Sequence, residues 1–160
     1  MHLLFRAVLV LALFFPAFAP AQADDWPQWR GPHRDGVWRE KGIVEKLPGK
    51  LDIKWRREIG AGYAGPAVAK GRVYVTDRVL ASGVRNPDDP FQKEKLQGSE
   101  RILCLDAKTG ADVWKHEYPC QYQVMYPSGP RATPTVHEGK VYSVGTMGDF
   151  FCLDAETGKV

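Results

Sequence analysis

The sequence predicts an all-β chain assembled from repeated meanders of four short strands. Two observations carry that prediction. Residues 102–110 read ILCLDAKTG and residues 150–158 read FFCLDAETG, an offset of 48. Residues 66–74 read PAVAKGRVY and residues 134–142 read PTVHEGKVY, an offset of 68. Such self-similarity is the signature of a repeat architecture, and the larger second offset means that the first copy carries extra residues between its halves. The other observation is that, beyond residue 23, no stretch of about 12 residues places apolar side chains at helical spacing.

Residues 1–23 read as a signal peptide. Arg6 precedes an apolar run over 7–19, and Ala21-Gln22-Ala23 supplies the small-x-small cleavage pattern. Pro16 and Pro20 interrupt the run, which falls short of the ~20 residues a span requires. No transmembrane span is therefore expected in the mature chain. Cleavage near Ala23 implies an extracytoplasmic protein, periplasmic or secreted, in an oxidising compartment. Residues 24–52 form an N-terminal extension in which Trp26, Trp29, Arg30 and Asp35 are expected to pin the chain start across the repeats.

From residue 53 onward the pattern is strand and tight turn. With the innermost strand of each unit called A and the outermost D, residues 66–69, 72–77, 101–106 and 112–118 are A to D of the first unit. Residues 133–137, 140–145 and 149–154 are A to C of the second. Residues 54–59 (KWRREI) echo residues 113–118 (VWKHEY), so the Trp55 segment reads as a D strand ahead of the first unit. Lys70-Gly71 and Glu138-Gly139 suit tight A–B turns. In the C–D turns the Asp and Thr side chains are positioned to bond backbone amides, with Gly free to take positive φ. Residues 78–100 are an inserted B–C loop. Four strands in ~45 residues match the blades of a β-propeller. Residues 53–160 are then a partial propeller, and the partner of the Trp55 strand is expected beyond Val160.

Asp106, Thr109, Gly110 and Trp114 reproduce the spacing D-x-x-T-G-x-x-x-W, and Asp154, Thr157 and Gly158 repeat its first part. This resembles the tryptophan-docking motif of the PQQ-like, quinoprotein-type propeller repeats, with Cys104 and Cys152 where those repeats usually carry Ala. The opening DWPQWRGP at 25–32 resembles exported members of planctomycete type. The resemblance covers about residues 25–160 and implies a propeller fold shared by enzymes and binding proteins. Each repeated Trp is then expected to tie one blade to the next.

The remaining chemistry is sparse. Without the leader the formal charge falls from +3 to +2 through loss of Arg6, which is no footprint for nucleic acid. Cys104 and Cys152 occupy matching frames and are expected in the interior as small hydrophobes, while Cys120 is left to pair with a cysteine outside this stretch. No C-x-x-C or His/Cys cluster suggests a metal. Gly60-Ala61-Gly62-Tyr63-Ala64-Gly65 matches G-x-G-x-x-G, but the next strand follows at once and no helix opens there, so it is a loop and not a dinucleotide site.

The candidate ligand- or partner-binding residues are Tyr63, Tyr122, Tyr126 and Arg131. Arg131 is placed either to present its guanidinium to an anion or to bond neighbouring backbone carbonyls. In a meander, the B–C and D–A loops emerge at one end of the strands. All the irregular length collects there, which makes that face the expected site for an unknown protein or small ligand. The favoured function is a non-catalytic binding or assembly scaffold in the cell envelope, with no cofactor and no catalytic residues. The alternative implied by the family is a PQQ- and calcium-dependent alcohol or sugar dehydrogenase, though the adjacent Cys-Cys pair such enzymes often carry is absent from this sequence. A third resemblance, to the propeller lipoprotein of the outer-membrane barrel assembly machinery, lacks the lipid-attachment Cys.

Overall fold

A computed structural model describes residues 24–42 and 45–160. The signal-peptide expectation for 1–23 lies outside them. Among the described residues seven strands form two antiparallel meanders. The first sheet runs β1 (Ala67–Ala69), β2 (Arg72–Leu80), β3 (Gly98–Asp106) and β4 (Asp112–Pro119), in that spatial order. The second runs β5 (Thr135–His137), β6 (Lys140–Val144) and β7 (Phe150–Asp154). No helix occurs among the described residues. The two short A strands, β1 and β5, approach each other, as the inner strands of neighbouring blades do.

Both A–B turns are two-residue turns with positive φ at each central residue: Lys70 and Gly71 at 49° and 71°, Glu138 and Gly139 at 45° and 75°. Those are type I′ values, whose twist matches that of the flanking strands. The C–D turns are likewise copies of each other. Asp106 Oδ1 accepts from the amides of Lys108 and Thr109 and from the Thr109 hydroxyl, each at 3.0 Å. Asp154 Oδ1 accepts from the amides of Glu156 and Thr157 and from the Thr157 hydroxyl at 2.9–3.2 Å.

Each C–D turn receives a tryptophan from the preceding D segment. The Trp114 indole N–H donates to the Ala155 carbonyl at 3.0 Å, and its ring lies over Gly158. Trp55 donates to the Ala107 carbonyl at 3.0 Å and lies over Gly110 in the same way. A Cβ on Gly158 or Gly110 would stand 2.7 or 2.5 Å from the indole. The interblade core follows from strand alternation. Tyr74, Ile102, Cys104 and Trp114 share one face of the first sheet and pack with Val141, Leu153, Ala155 and Phe151 of the second. Val73, Val75, Leu103 and Leu105 form a separate cluster on the opposite face.

Two expectations need adjustment, the bounds of the inserted loop and the place of Cys152, while the Trp55 segment and Cys120 are expected to find any partner outside this stretch. The inserted loop is shorter than 78–100, because β2 runs to Leu80 and β3 resumes at Gly98, leaving 81–97 outside the ladder. The Trp55 segment docks as a D segment does, yet it joins no ladder among the described residues, where no strand lies alongside it. Cys104 is buried, but its counterpart Cys152 is exposed, because no further sheet covers that face of β7 among the described residues. Cys120 is a free, buried thiol, and among the described residues it has no cysteine partner.

The N-terminal extension does bind across both units, through Trp26 and its neighbours; of the other residues expected to pin it, Trp29 is 68% exposed and Arg30 and Asp35 bond within the extension. Trp26 and Val68 exchange backbone hydrogen bonds at 2.8 and 2.9 Å, Asp25 accepts from the Lys70 amide, and the Pro27 carbonyl accepts from Val136 of β5 at 2.8 Å. Arg30, Gly31, Arg34 and Gly36 all take positive φ in the turn that follows. Gly31 is required there, since a Cβ would meet the Trp26 ring at 2.9 Å.

Candidate functional site

The loops expected on one face do meet there. The Ala61 carbonyl accepts from the Arg78 amide at 2.8 Å, and the Pro130 carbonyl accepts from the amides of both Tyr63 and Ala64. The backbones approach so closely that side chains are excluded. A Cβ on Gly60 would overlap the Arg78 carbonyl, and one on Gly129 would overlap the Ala61 carbonyl. This close packing is what Gly60, the first glycine of the G-x-G-x-x-G run, serves. Asp77, fully buried, accepts from the Gly60 amide at 2.5 Å and from both Nε and Nη2 of Arg101 at 2.8 and 2.5 Å.

Beneath the face lies a buried polar cluster that sequence reasoning missed. Glu100 is 1% exposed. Its carboxylate accepts from the hydroxyls of Tyr118 and Tyr122, and from the Thr146 amide at 3.0 Å. Burial, then the hydrogen bond to Glu100, push both tyrosine hydroxyls well above the ordinary tyrosine value, so both remain donors. Arg78 pairs across the ladder with Glu100 and stacks its guanidinium on the Tyr122 ring, 3.7 Å from the centroid. It also donates to the carbonyls of Pro127 and Leu96 at 2.6 and 3.0 Å.

Charged residues so placed read from sequence as solvated loop. The usable signal was the pair of tyrosines at 118 and 122 within reach of one acid. The cluster joins the inserted B–C loop, the 119–134 loop and the second sheet into one support. Gly145 leaves the room it needs, since a Cβ there would overlap the Tyr118 hydroxyl and the Glu100 carboxylate.

Of the four candidates, Tyr122 is fully buried and belongs to this support. The other three lie at the surface. Tyr63 and Tyr126 are 51% and 42% exposed. Arg131 Nη2 donates to the carbonyls of Met125 and Tyr126 at 2.7 and 2.8 Å, and its guanidinium carbon lies 5.6 Å from the centre of the Tyr63 ring. Of the two alternatives for this arginine, the structure shows the one bonded to neighbouring carbonyls, with the side chain exposed. Tyr126 has φ +54°, uncommon for an aromatic residue. Its amide donates to the Pro90 carbonyl at 2.7 Å, and its ring meets Phe91 edge-on at 5.1 Å. Phe91, Met125 and Met147 are exposed on the same set of loops.

Charge on this face is unevenly distributed. Segments 60–65, 119–134 and 145–148 contain a single formal charge, Arg131, whereas the 81–97 loop on the same face carries Arg85, Asp88, Asp89, Lys93, Glu94 and Lys95. The opposite turns carry Lys70, Lys108, Glu138, Glu156 and Lys159. Among the described residues no three His, Cys, Asp or Glu side chains converge as a metal site.

Residues 98–160 match the family model described as outer membrane protein assembly factor BamB, a model of PQQ-like repeats. No curated protein matches the chain. The matched stretch spans β3 through β7, including both Asp-Thr-Gly turns and the Trp114 docking contact between them. Residues 98–160 are therefore similar to the PQQ-like repeat family, and the two antiparallel sheets have the meander form of the blades of a partial β-propeller.

Proposed function

We propose that this protein is an exported, non-catalytic propeller that binds a protein partner in the cell envelope, as a docking or assembly scaffold. The observation that carries the reading is a loop face, supported from beneath by the Glu100 cluster, that exposes Tyr63, Phe91, Met125, Tyr126 and Met147. Interface cores are enriched in aromatic residues and Met, and contiguous exposed apolar surface marks interaction sites. The matched family's description names an assembly factor, which supports a partner-binding role. The leader pattern of residues 1–23 supports export, with Asp24 as the first mature residue. Mass spectrometry of the extracytoplasmic fraction tests that point.

Site-specific photocrosslinking tests the binding face. A photoreactive residue at Phe91 or Tyr126 should give a discrete protein adduct in cells, and one at Lys108 or Glu138 should not. Adducts from the second pair alone would sink the reading. The reading involves no cofactor. It also fails if added PQQ and calcium let the full-length protein reduce a dye with simple alcohols or aldoses, in a chelator-sensitive manner.

A further inference from the structure

We infer that removal of the leader completes the seating of the N-terminal extension: cleavage after Ala23 turns the Asp24 nitrogen into an ammonium that pairs with the Glu40 carboxylate. The inference rests on the export reading above and adds what processing does to the fold. Three observations support it. The Asp24 nitrogen donates to Glu40 Oε1 at 2.6 Å, so an acceptor stands where the new charge arises. Among the described residues Glu40 has no side-chain cation of its own. Its neighbour Arg39 is committed to Asp35, with Nη1 and Nη2 bonding Oδ1 and Oδ2 at 3.1 and 2.5 Å. The three residues after Asp24 are the ones that reach the two sheets: Asp25 bonds the Lys70 amide, Trp26 bonds Val68, and Pro27 bonds the Val136 amide.

The cleavage is a hydrolysis. Water adds its oxygen to the Ala23 carbonyl carbon and the Ala23–Asp24 bond breaks. The released nitrogen takes one proton from that water and one from the new carboxyl group, and is an ammonium at neutral pH. Before cleavage the donor to Glu40 is a neutral amide; afterwards it is charged, and a charge-assisted hydrogen bond is roughly twice as strong. An exposed pair contributes little by itself. This one acts on the residue that leads directly into Asp25, Trp26 and Pro27.

The test uses the mature full-length protein with its Asp24 α-amine free or selectively acetylated, in wild type and in Glu40→Gln. Acetylation restores a neutral amide and removes the terminal charge. Hydrogen exchange of the Val68 and Val136 amides, which bond Trp26 and Pro27, reads how firmly the extension is held. In wild type, acetylation should speed that exchange about two- to fivefold and leave the β2–β3 ladder unchanged. Glu40→Gln should exchange at the faster rate with or without the acetyl group. The free amine of wild type should also react with an acylating reagent more slowly than that of Glu40→Gln. An equal response to acetylation in both backgrounds, no response in wild type, or equal amine reactivity overturns the ion pair and leaves export standing. A chain cut at another bond overturns the pairing alone, and a retained leader overturns both.

Discussion

Replacing Trp114 separates the two parts of the interblade contact. Trp114→Ala removes a large half-buried ring that packs on Gly158 and lies 5.9 Å from Tyr74, at a cost of about 3–5 kcal/mol. Trp114→Phe keeps most of that packing and removes only the indole N–H. The Ala155 carbonyl it served also accepts from the Tyr74 hydroxyl at 3.2 Å. It is not orphaned, and the loss stays near ~1 kcal/mol. Gly158→Ala carries two penalties: a side chain at φ +71° and overlap with the indole at 2.7 Å. The first costs about 1–2 kcal/mol wherever it occurs, whereas the second exists only while the ring is there. Gly158→Ala should therefore cost about 1–3 kcal/mol less in the Trp114→Ala background than in wild type. Urea unfolding followed by circular dichroism measures all four corners of the cycle. Equal cost in both backgrounds, or Trp114→Phe as damaging as Trp114→Ala, would refute the docking account.

Other expectations are more compact. Asp106 and Asp154 are held below the usual carboxylate range, by their Thr109 and Thr157 hydroxyl bonds first and backbone amides next. Their folded-state values lie under the unfolded ones, so the stabilisation is complete above about pH 4 and is lost as pH falls through the folded values. A Thr109→Val, Thr157→Val variant should show a shallower acid limb in its melting temperature. Burial pushes the Cys104 and Cys120 thiols up to about 11, so a maleimide at neutral pH should label Cys152 alone in native protein, and all three thiols in denaturant.

Glu100→Ala leaves the Tyr118 hydroxyl and the Thr146 amide without their acceptor, at about 1–3 kcal/mol each, while the Tyr122 hydroxyl keeps the Thr146 hydroxyl at 2.8 Å, and should sharply lower soluble expression. Glu100→Gln keeps the shape and should cost less. Tyr126→Gly relieves the left-handed strain by about 1 kcal/mol and gives up the Phe91 contact, worth about 0.5–1.5 kcal/mol. Melting should barely move while partner binding weakens.

The blade pattern was legible because it is local: Asp-x-x-Thr-Gly, the two-residue turns and alternating Val, Tyr and Leu determine their own neighbourhood. The loop face was legible from topology, since alternate connections of a meander share an end. What sequence hid was the exchange of expected roles between charged and aromatic residues. Arg78 and Glu100 read as the ends of the inserted loop, yet they pair within β2 and β3, where Tyr118 and Tyr122 bond Glu100 and the Pro127 and Leu96 carbonyls bond Arg78 in place of water. Tyr122 read as a surface contact and is buried for the same reason. Cys152 read as an interior residue from its frame, but burial depends on a neighbouring sheet, which no motif inside the repeat can report.

The hydrogen bonds of Asp25, Trp26 and Pro27 have a consequence for the order of folding. These residues precede both sheets in the chain, yet their partners include Val68, Lys70 and, much later, Val136. Contacts between distant positions form late because the intervening chain must first be ordered. The arm therefore waits until both sheets exist and then latches their inner edges together. It acts as a clasp that closes only on a correctly paired product. Deleting residues 24–28 should leave the rate of sheet formation unchanged and speed separation of the blades, so that the loss appears in unfolding kinetics and hardly in folding.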